Sequence, residues 1–262
     1  MNDLKNELFL AKQIAKKCKS IIDNEKNFSI ISSDNDDIKL EVDKILNDFI
    51  VNELLKKSNI SNIISEESLN DFELLQKNEY CWIIDPLDGS YNFIRGIPFY
   101  STSICLWKGN KPVFGVVYDF INDDLLYFDP LKNASFLNEK KIVVNRKSLT
   151  IQTSCIGSGI PSLSNYSSNE SSKFWIFLNK FKKIRFLGSA SLTICNVVLS
   201  KLDVYYEKRI YIWDIAAALS IAIGAGLDYK ISHCDSDMHR VDLIISRSDL
   251  LENIIQEISN EG

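Results

Sequence analysis

Histidine is almost missing from this chain: two among 262 residues, His233 and His239, both late. The six cysteines, at positions 18, 81, 105, 155, 195 and 234, form no CxxC pair and no regular spacing. A His/Cys zinc site is thereby set aside. Most of these cysteines lie among apolar neighbours and read as buried free thiols in a reducing cytoplasm. Ten glycines and five prolines are too few for a collagenous or low-complexity chain. The longest near-apolar run, 215–227, falls short of the roughly 20 residues a membrane helix needs, so no membrane span is expected. The N-terminus, MNDLKNELF, is charged from its third residue and lacks an apolar targeting core, which points to a cytoplasmic protein. Basic charge is not in excess either. Thirty Lys and Arg against 35 Asp and Glu give a net charge of −5, so no direct nucleic-acid partner is expected. The basic segment 180–185, KFKKIR, reads as a solvated face and strand edge. What remains for proton transfer or metal binding is carboxylate.

The chain is 45% hydrophobic and 25% charged, an ordinary globular composition with ample core material. Residues 4–22 and 38–55 carry apolar side chains at helical spacing, and the acidic segment 32–37 between them reads as a loop. Short β-branched or aromatic runs follow at 60–64, 81–84, 101–107, 113–118 and 125–128, separated by turn residues at hairpin-like spacing. Helices on a mostly antiparallel sheet make an α+β arrangement. After about residue 145 strands and helices alternate. The strand candidates there are 151–156, 184–187, 203–206, 227–231 and 242–246. The helix candidates are 171–181, 190–200, 212–224 and 248–258, and the polar stretch 162–172 reads as an exposed loop. The economical division is two halves sharing a cleft: 1–145, carrying metal ligands, and 146–262, contributing Asp214 and substrate contacts.

The apolar run Trp82-Ile83-Ile84 ends in Asp85-Pro86-Leu87-Asp88-Gly89-Ser90. If the strand stops at Asp85, Pro86 sharpens the exit, Gly89 permits a tight turn and Ser90 takes an N-cap position. Two carboxylates would then meet the free amides of a helix start, a place for hard cations and a phosphate. The same residue types also build an ordinary capped turn. Upstream, Ile63-Ile64-Ser65-Glu66-Glu67-Ser68 is a second apolar run ending in acids. Downstream, Asp214 opens a small-residue helix in Ile212-Trp213-Asp214-Ile215-Ala216-Ala217, as a dipole-favoured charge or as a further ligand. Acidic termini in a chain without histidine ligands suit a site for several Mg²⁺ ions.

In this order, Ser65-Glu66-Glu67-Ser68, Trp82-Ile83-Ile84-Asp85-Pro86-Leu87-Asp88-Gly89-Ser90 and Trp213-Asp214-Ile215-Ala216-Ala217 resemble the motifs of the inositol monophosphatase family of Mg²⁺-dependent, lithium-sensitive phosphatases. The resemblance runs from the N-terminal helices to about residue 246. It implies a layered α-β-α-β-α sandwich (the sugar phosphatase fold), a homodimer, and a small phosphorylated substrate. It implies Glu66, Asp85 and the Leu87 carbonyl as ligands of one metal, and Asp85, Asp88 and Asp214 as ligands of a second. Ser90 stands where the family has Thr; its hydroxyl would orient the attacking water together with Glu66, while the Gly89 and Ser90 amides hold the phosphate. Gly188-Ser189-Ala190 resembles the second substrate-contacting turn, and is equally an N-cap. Asp88 and Asp214 would also face the substrate. Glu207 matches the residue that binds a sugar-alcohol hydroxyl in the inositol branch, and Tyr91-Asn92-Phe93 favours that branch over the bisphosphate nucleotidases.

Three places depart from the family pattern. Ser32-Ser33-Asp34 lacks the lysine often found before the second helix, Lys208 and Arg209 replace small apolar residues, and Gly224 stands where Glu is frequent. The expected activity is hydrolysis of a small polyol or sugar phosphate by metal-activated water. The rivals are 3′(2′),5′-bisphosphate nucleotidase, fructose-1,6-bisphosphatase or histidinol-phosphatase activity, or a role chiefly as a binding partner in a transcription complex.

Overall fold

The computed structural model describes residues 2–24, 30–34, 37–68, 72–145, 149–160, 166–234, 237–247 and 250–260. The first apolar stripe folds as helix α1 (Asn2–Asn24), which buries Leu8, Ala11, Ile14, Ala15, Cys18 and Ile22. Spacings of three and four residues put these side chains on one face. The second stripe folds as α2 (Glu41–Lys57), buried through Val42, Leu46, Ile50 and Leu54. It starts later than its sequence pattern suggests. Strand β1 (Ile30–Asp34) pairs antiparallel with β2 (Asp37–Leu40), so the segment expected to be a loop over 32–37 is strand wherever it is described; residues 35 and 36 lie outside the described residues. Ladder bonds come from the backbone, so a polar hairpin carries no apolar period to read.

Seven strands then form one sheet in sequential order: β3 (Ile63–Ser65), β4 (Tyr80–Asp88), β5 (Ser101–Lys108), β6 (Lys111–Asp119), β7 (Asp124–Asp129), β8 (Ala134–Leu137) and β9 (Lys140–Lys141). β3 and β4 run parallel, and the following neighbours are antiparallel. The short β8 and β9 have no counterpart in the sequence reading. β5 is buried from Ser101 to Trp107 because helices cover both faces of the sheet. On one side Thr102 meets Cys18 of α1. On the other, Ser103 Oγ donates to the Trp213 carbonyl (3.3 Å) and Ser135 Oγ to the Ile221 carbonyl (2.6 Å).

The second sheet has the order β11-β10-β12-β14-β13, from β10 (Cys155–Ser158), β11 (Lys183–Phe186), β12 (Val204–Tyr211), β13 (Asp228–Cys234) and β14 (Asp237–Ser246). β10 is parallel to β11 and β12, while β14 is antiparallel to β12 and β13. β11 is an edge strand with exposed Lys183 and Arg185, in line with the solvated face expected there. Helices α5 (Ala190–Val198) and α6 (Ile212–Gly224) lie between the sheets, whereas α4 (Ser168–Leu178) and α7 (Leu250–Asn260) cover the far face through Phe174, Phe177, Leu178, Leu250 and Ile254. The architecture is therefore the α+β, α-β-α-β-α sandwich. α6 explains its own composition: ten of its residues are buried, as a helix enclosed by two sheets requires.

Two further boundaries in the second half differ in kind from the sequence reading. The 151–156 segment opens as a 3₁₀ turn (Ile151–Thr153), and the strand starts only at Cys155. The polar stretch 162–172 becomes helical from Ser168, while 161–165 lie outside the described residues. Ser167 Oγ accepts from the Glu170 amide (3.2 Å) and the Glu170 carboxylate accepts from the Ser167 amide (2.9 Å), a capping box hidden in a serine-rich run. Gly224 also acquires a reason. A Cβ there would lie 2.0 Å from Phe128 Cδ2 and 2.6 Å from Ser135 Oγ, so no larger residue fits between α6 and the sheet. Cys18, Cys81, Cys105 and Cys195 are buried free thiols and Cys155 is half-buried. Among the described residues no helix is long and apolar enough to cross a membrane.

Candidate active site

The two ladders nearest the site each carry a one-residue bulge. In β4, Asp85 pairs with Ser103 but Asp88 pairs with Ser101, so three steps on one strand match two on the other. The strand does not end at Asp85, as its sequence suggests; it bulges over Pro86-Leu87, where Pro has no N–H to give the ladder. Asp85 Oδ1 accepts the Leu87 amide (3.0 Å), fixing the bulge. In β12, Glu207 pairs with Leu243 and Ile210 with Val241, again one residue extra. Lys208 and Arg209 form that bulge, with Arg209 at φ 54°.

β3 delivers Glu66, whose amide donates to the Ile84 carbonyl at 3.2 Å, and α6 delivers Asp214 from its first turn. One carboxylate oxygen each from Glu66, Asp85 and Asp214 lie within 4.8 Å of one another. Burial first, then the charges of Glu66, Asp88 and Asp214, push Asp85 well above the ordinary carboxylate range. Burial, then Glu66, Asp88 and Glu207, do the same to Asp214. Carboxylates crowded in this way repel one another unless a cation or protons sit among them. Hard oxygen donors in such a cluster fit a divalent cation such as Mg²⁺.

Asp88 lines the same cavity, but its carboxylate turns toward the start of α5. Oδ2 accepts from Ser189 Oγ (2.5 Å), the Ser191 amide (2.8 Å) and Ser191 Oγ, while Oδ1 accepts from the Ala190 amide (3.2 Å). The Gly188-Ser189-Ala190 turn thus meets Asp88 directly, and Ser189 is also the N-cap of α5, accepting from the Leu192 amide (3.3 Å). Ser90 is not a cap. It opens helix α3 (Ser90–Ile94), and the cap position falls to Gly89 at φ 88°, a left-handed conformation that glycine adopts without cost from a Cβ. In the first turn of a helix the leading amides have no intrahelical acceptor, so those of Ser90 and Tyr91 are available to an anion. Asn92 Nδ2 donates to the Phe99 (2.9 Å) and Leu187 (2.7 Å) carbonyls, locking the two turns together.

Glu207 is 6% exposed and accepts from Tyr205 Oη at 2.8 Å. Burial, with help from Asp88's charge and against the Tyr205 hydrogen bond, raises its carboxyl to about 8. Glu66, Asp85, Leu87, Asp88, Gly89, Ser90, Gly188, Ser189, Ala190, Glu207 and Asp214 all line one cavity of about 670 Å³, with Ile97, Ile160 and Phe186 as apolar wall. Lys208 and Arg209 are not among its lining residues. Arg209 reaches Glu170 (2.5 Å) and lies over the Tyr166 ring (5.1 Å to its centroid), fastening the bulge to α4. Sequence reasoning missed Tyr205, Asn92 and Ser191. Strand alternation puts Tyr205 on the face of Glu207 and could have found it; Ser191 has no pattern to betray it.

The chain matches the inositol monophosphatase family over residues 3–262. It is 34% identical to the fructose-1,6-bisphosphatase of Pyrococcus furiosus over 86% of this chain and 80% of that protein. It is 30% identical to inositol monophosphatase 1 of Bos taurus over 95% and 91%. Among solved structures, an IMPase/NADP phosphatase complexed with Mg²⁺ and phosphate superposes with a TM-score of 0.79 at 19% identity, over 97% of this chain and 95% of that one, a likeness of fold. A five-layer sandwich with a carboxylate-lined cavity, matched over residues 3–262, therefore makes this chain a member of the inositol monophosphatase family, phosphatases of phosphate monoesters.

Proposed function

We propose that the chain is a Mg²⁺-dependent phosphomonoesterase acting on a small polyol or sugar phosphate such as inositol monophosphate. The observation that carries the reading is the meeting of Glu66, Asp85 and Asp214 oxygens within 4.8 Å, in a cavity that also holds Asp88 and Glu207. Glu66, Asp85 and the Leu87 carbonyl would hold one Mg²⁺, with Asp85, Asp88 and Asp214 at a second position; the ions supply a water ionised near neutral pH and charge compensation for the leaving alkoxide. The chain's own residues do the positioning. Glu66 and the Ser90 hydroxyl orient the water, and the Glu66 carboxylate takes up its proton. The Gly89 and Ser90 amides hold the phosphate oxygens, since phosphoryl transfer needs placement and charge neutralisation more than covalent help. Glu207, protonated below about pH 8 in the metal-free site, presents a donor and an acceptor to a polyol hydroxyl. The apolar wall of Ile97, Ile160 and Phe186 bounds the ring.

A homodimer and lithium sensitivity, resting on family likeness, and a cytoplasmic location, supported by the free thiols, complete the proposal. The test is a phosphate-release panel of inositol phosphates, fructose bisphosphate, histidinol phosphate and adenosine bisphosphate. Each is run with Mg²⁺ and Li⁺ titrations and an Asp88→Asn control. Mg²⁺-dependent turnover of an inositol or sugar phosphate, absent in the control, is the expected result. No Mg²⁺-dependent turnover on any of them overturns the enzyme reading, and a preference for adenosine bisphosphate moves the chain to the nucleotidase branch.

A further inference from the structure

Ser191 is fully buried and does not line the cavity, yet it gives Asp88 two hydrogen bonds. Its amide and its Oγ both donate to Oδ2, joined by Ser189 Oγ at 2.5 Å. A carboxylate oxygen with three donors has no acceptor capacity left, whereas Oδ1 carries the long 3.2 Å bond from Ala190 alone among the described contacts. A serine hydroxyl has one hydrogen, and here it goes to Asp88. Ser101 Oγ, 2.8 Å from Ser191 Oγ, must therefore be the donor in that pair. Ser101 is the residue of β5 in register with Asp88 across the bulge, and is itself fully buried. The chain Ser101→Ser191→Asp88 thus closes a ring through β4, β5 and α5.

We propose that Ser191, set in direction by Ser101, is a positioning residue: it pins Oδ2 against α5 and so leaves Oδ1 as the oxygen that Asp88 offers to the cavity. The inference rests on the function proposed above, in which Asp88 serves the second metal position and the substrate. Charge-assisted hydrogen bonds are strong and directional, and a buried network is rigid when every member is satisfied. Removing the Ser191 hydroxyl leaves the backbone bond and Ser189 in place. The fold is kept while the carboxylate gains freedom to rotate.

The experiment follows Mn²⁺ binding to the metal-stripped full-length protein by electron paramagnetic resonance, for wild type, S191A, S101A and the double variant. Steady-state kinetics and thermal melts run beside it. S191A is expected to weaken the lower-affinity Mn²⁺ site roughly tenfold. The tighter site should be unchanged, the fall should appear in kcat more than in KM, and the melting point of the stripped protein should hold. S101A should act in the same direction but less, and the double variant should match S191A, because Ser101 acts only through Ser191. Wild-type Mn²⁺ binding and kcat in S191A overturn the proposal, as do additive effects of the two substitutions. Should S191A fail to fold, S101A alone decides: a wild-type second site in it overturns the proposal. Wild type that binds no Mn²⁺ and releases no phosphate overturns the proposed function itself, an outcome separable from failure of the serine relay.

Discussion

Tyr205 and Glu207 stand two residues apart on one face of β12, and the phenol gives its hydrogen to the carboxylate at 2.8 Å. That bond favours the ionised acid but does not outweigh burial, and Glu207 ends near 8. The folded protein thus holds a proton that the unfolded chain has lost between the ordinary glutamate range and about 8. The stability tied to that proton is full at acid pH and is lost as pH rises through about 8. The measurement is the melting point of metal-free wild type against Glu207→Gln across that range. The variant's advantage should widen toward alkaline pH; a constant gap would contradict the assignment.

Asp85 and Asp214 repel each other and Glu66 in a buried site. Asp214→Asn should therefore raise the melting point of the metal-stripped protein while shrinking its rise on adding Mg²⁺ to what the position held by Glu66, Asp85 and Leu87 supplies. Wild type should gain about 2.7 kcal/mol at Mg²⁺ a hundredfold above its dissociation constant. Thermal melts in chelator and in a Mg²⁺ series read both effects at once.

Ser90 is assigned to the water and not to the fold. Ser90→Ala should lower kcat by ~10²–10⁴, leaving KM and the Mg²⁺-dependent melting shift close to wild type. A variant that loses the Mg²⁺ shift would place Ser90 among the metal contacts.

Gly224 is held by packing alone. Gly224→Ala pushes a methyl into Phe128 and should cost ~1–3 kcal/mol in urea unfolding. Shortening the neighbour, in Gly224→Ala with Phe128→Leu, should recover part of the loss, because touching residues are non-additive. Neither residue lines the cavity, so turnover at saturating substrate should hold in both variants.

The elements legible in the sequence are those whose burial follows a period. The α6 reading of 212–224 coincides with Ile212–Gly224 because a helix enclosed by two sheets must be apolar on every side. Three of the acids could be ordered by motif because each follows an apolar run or opens a helix: Glu66 after β3, Asp85 after Trp82-Ile83-Ile84 in β4, Asp214 on α6. Much of what escaped depends on pairing across the fold and not on local pattern. The β1–β2 hairpin is polar, the 3₁₀ turn at Ile151–Thr153 keeps the apolar look of a strand, and the bulges in β4 and β12 exist only as a mismatch between two strands. Lys208 and Arg209 stand out in the sequence only as departures from the family pattern; the bulge and Glu170 account for Arg209 in structural terms. Ser191 became visible only when α5 was seen to meet Asp88.

The placement of α6 between the sheets sets an order of assembly. Asp214 leaves the ribosome more than a hundred residues after Asp85, and α6 is what covers the inner face of the first sheet, where Ser103 and Ser135 meet its backbone. Until that helix emerges, the nascent seven-stranded sheet has one apolar side bare and no complete acidic trio. Such an intermediate exposes apolar surface and is prone to aggregate. A divalent ion can therefore serve this protein as a late lock on a finished fold, never as the nucleus around which it forms.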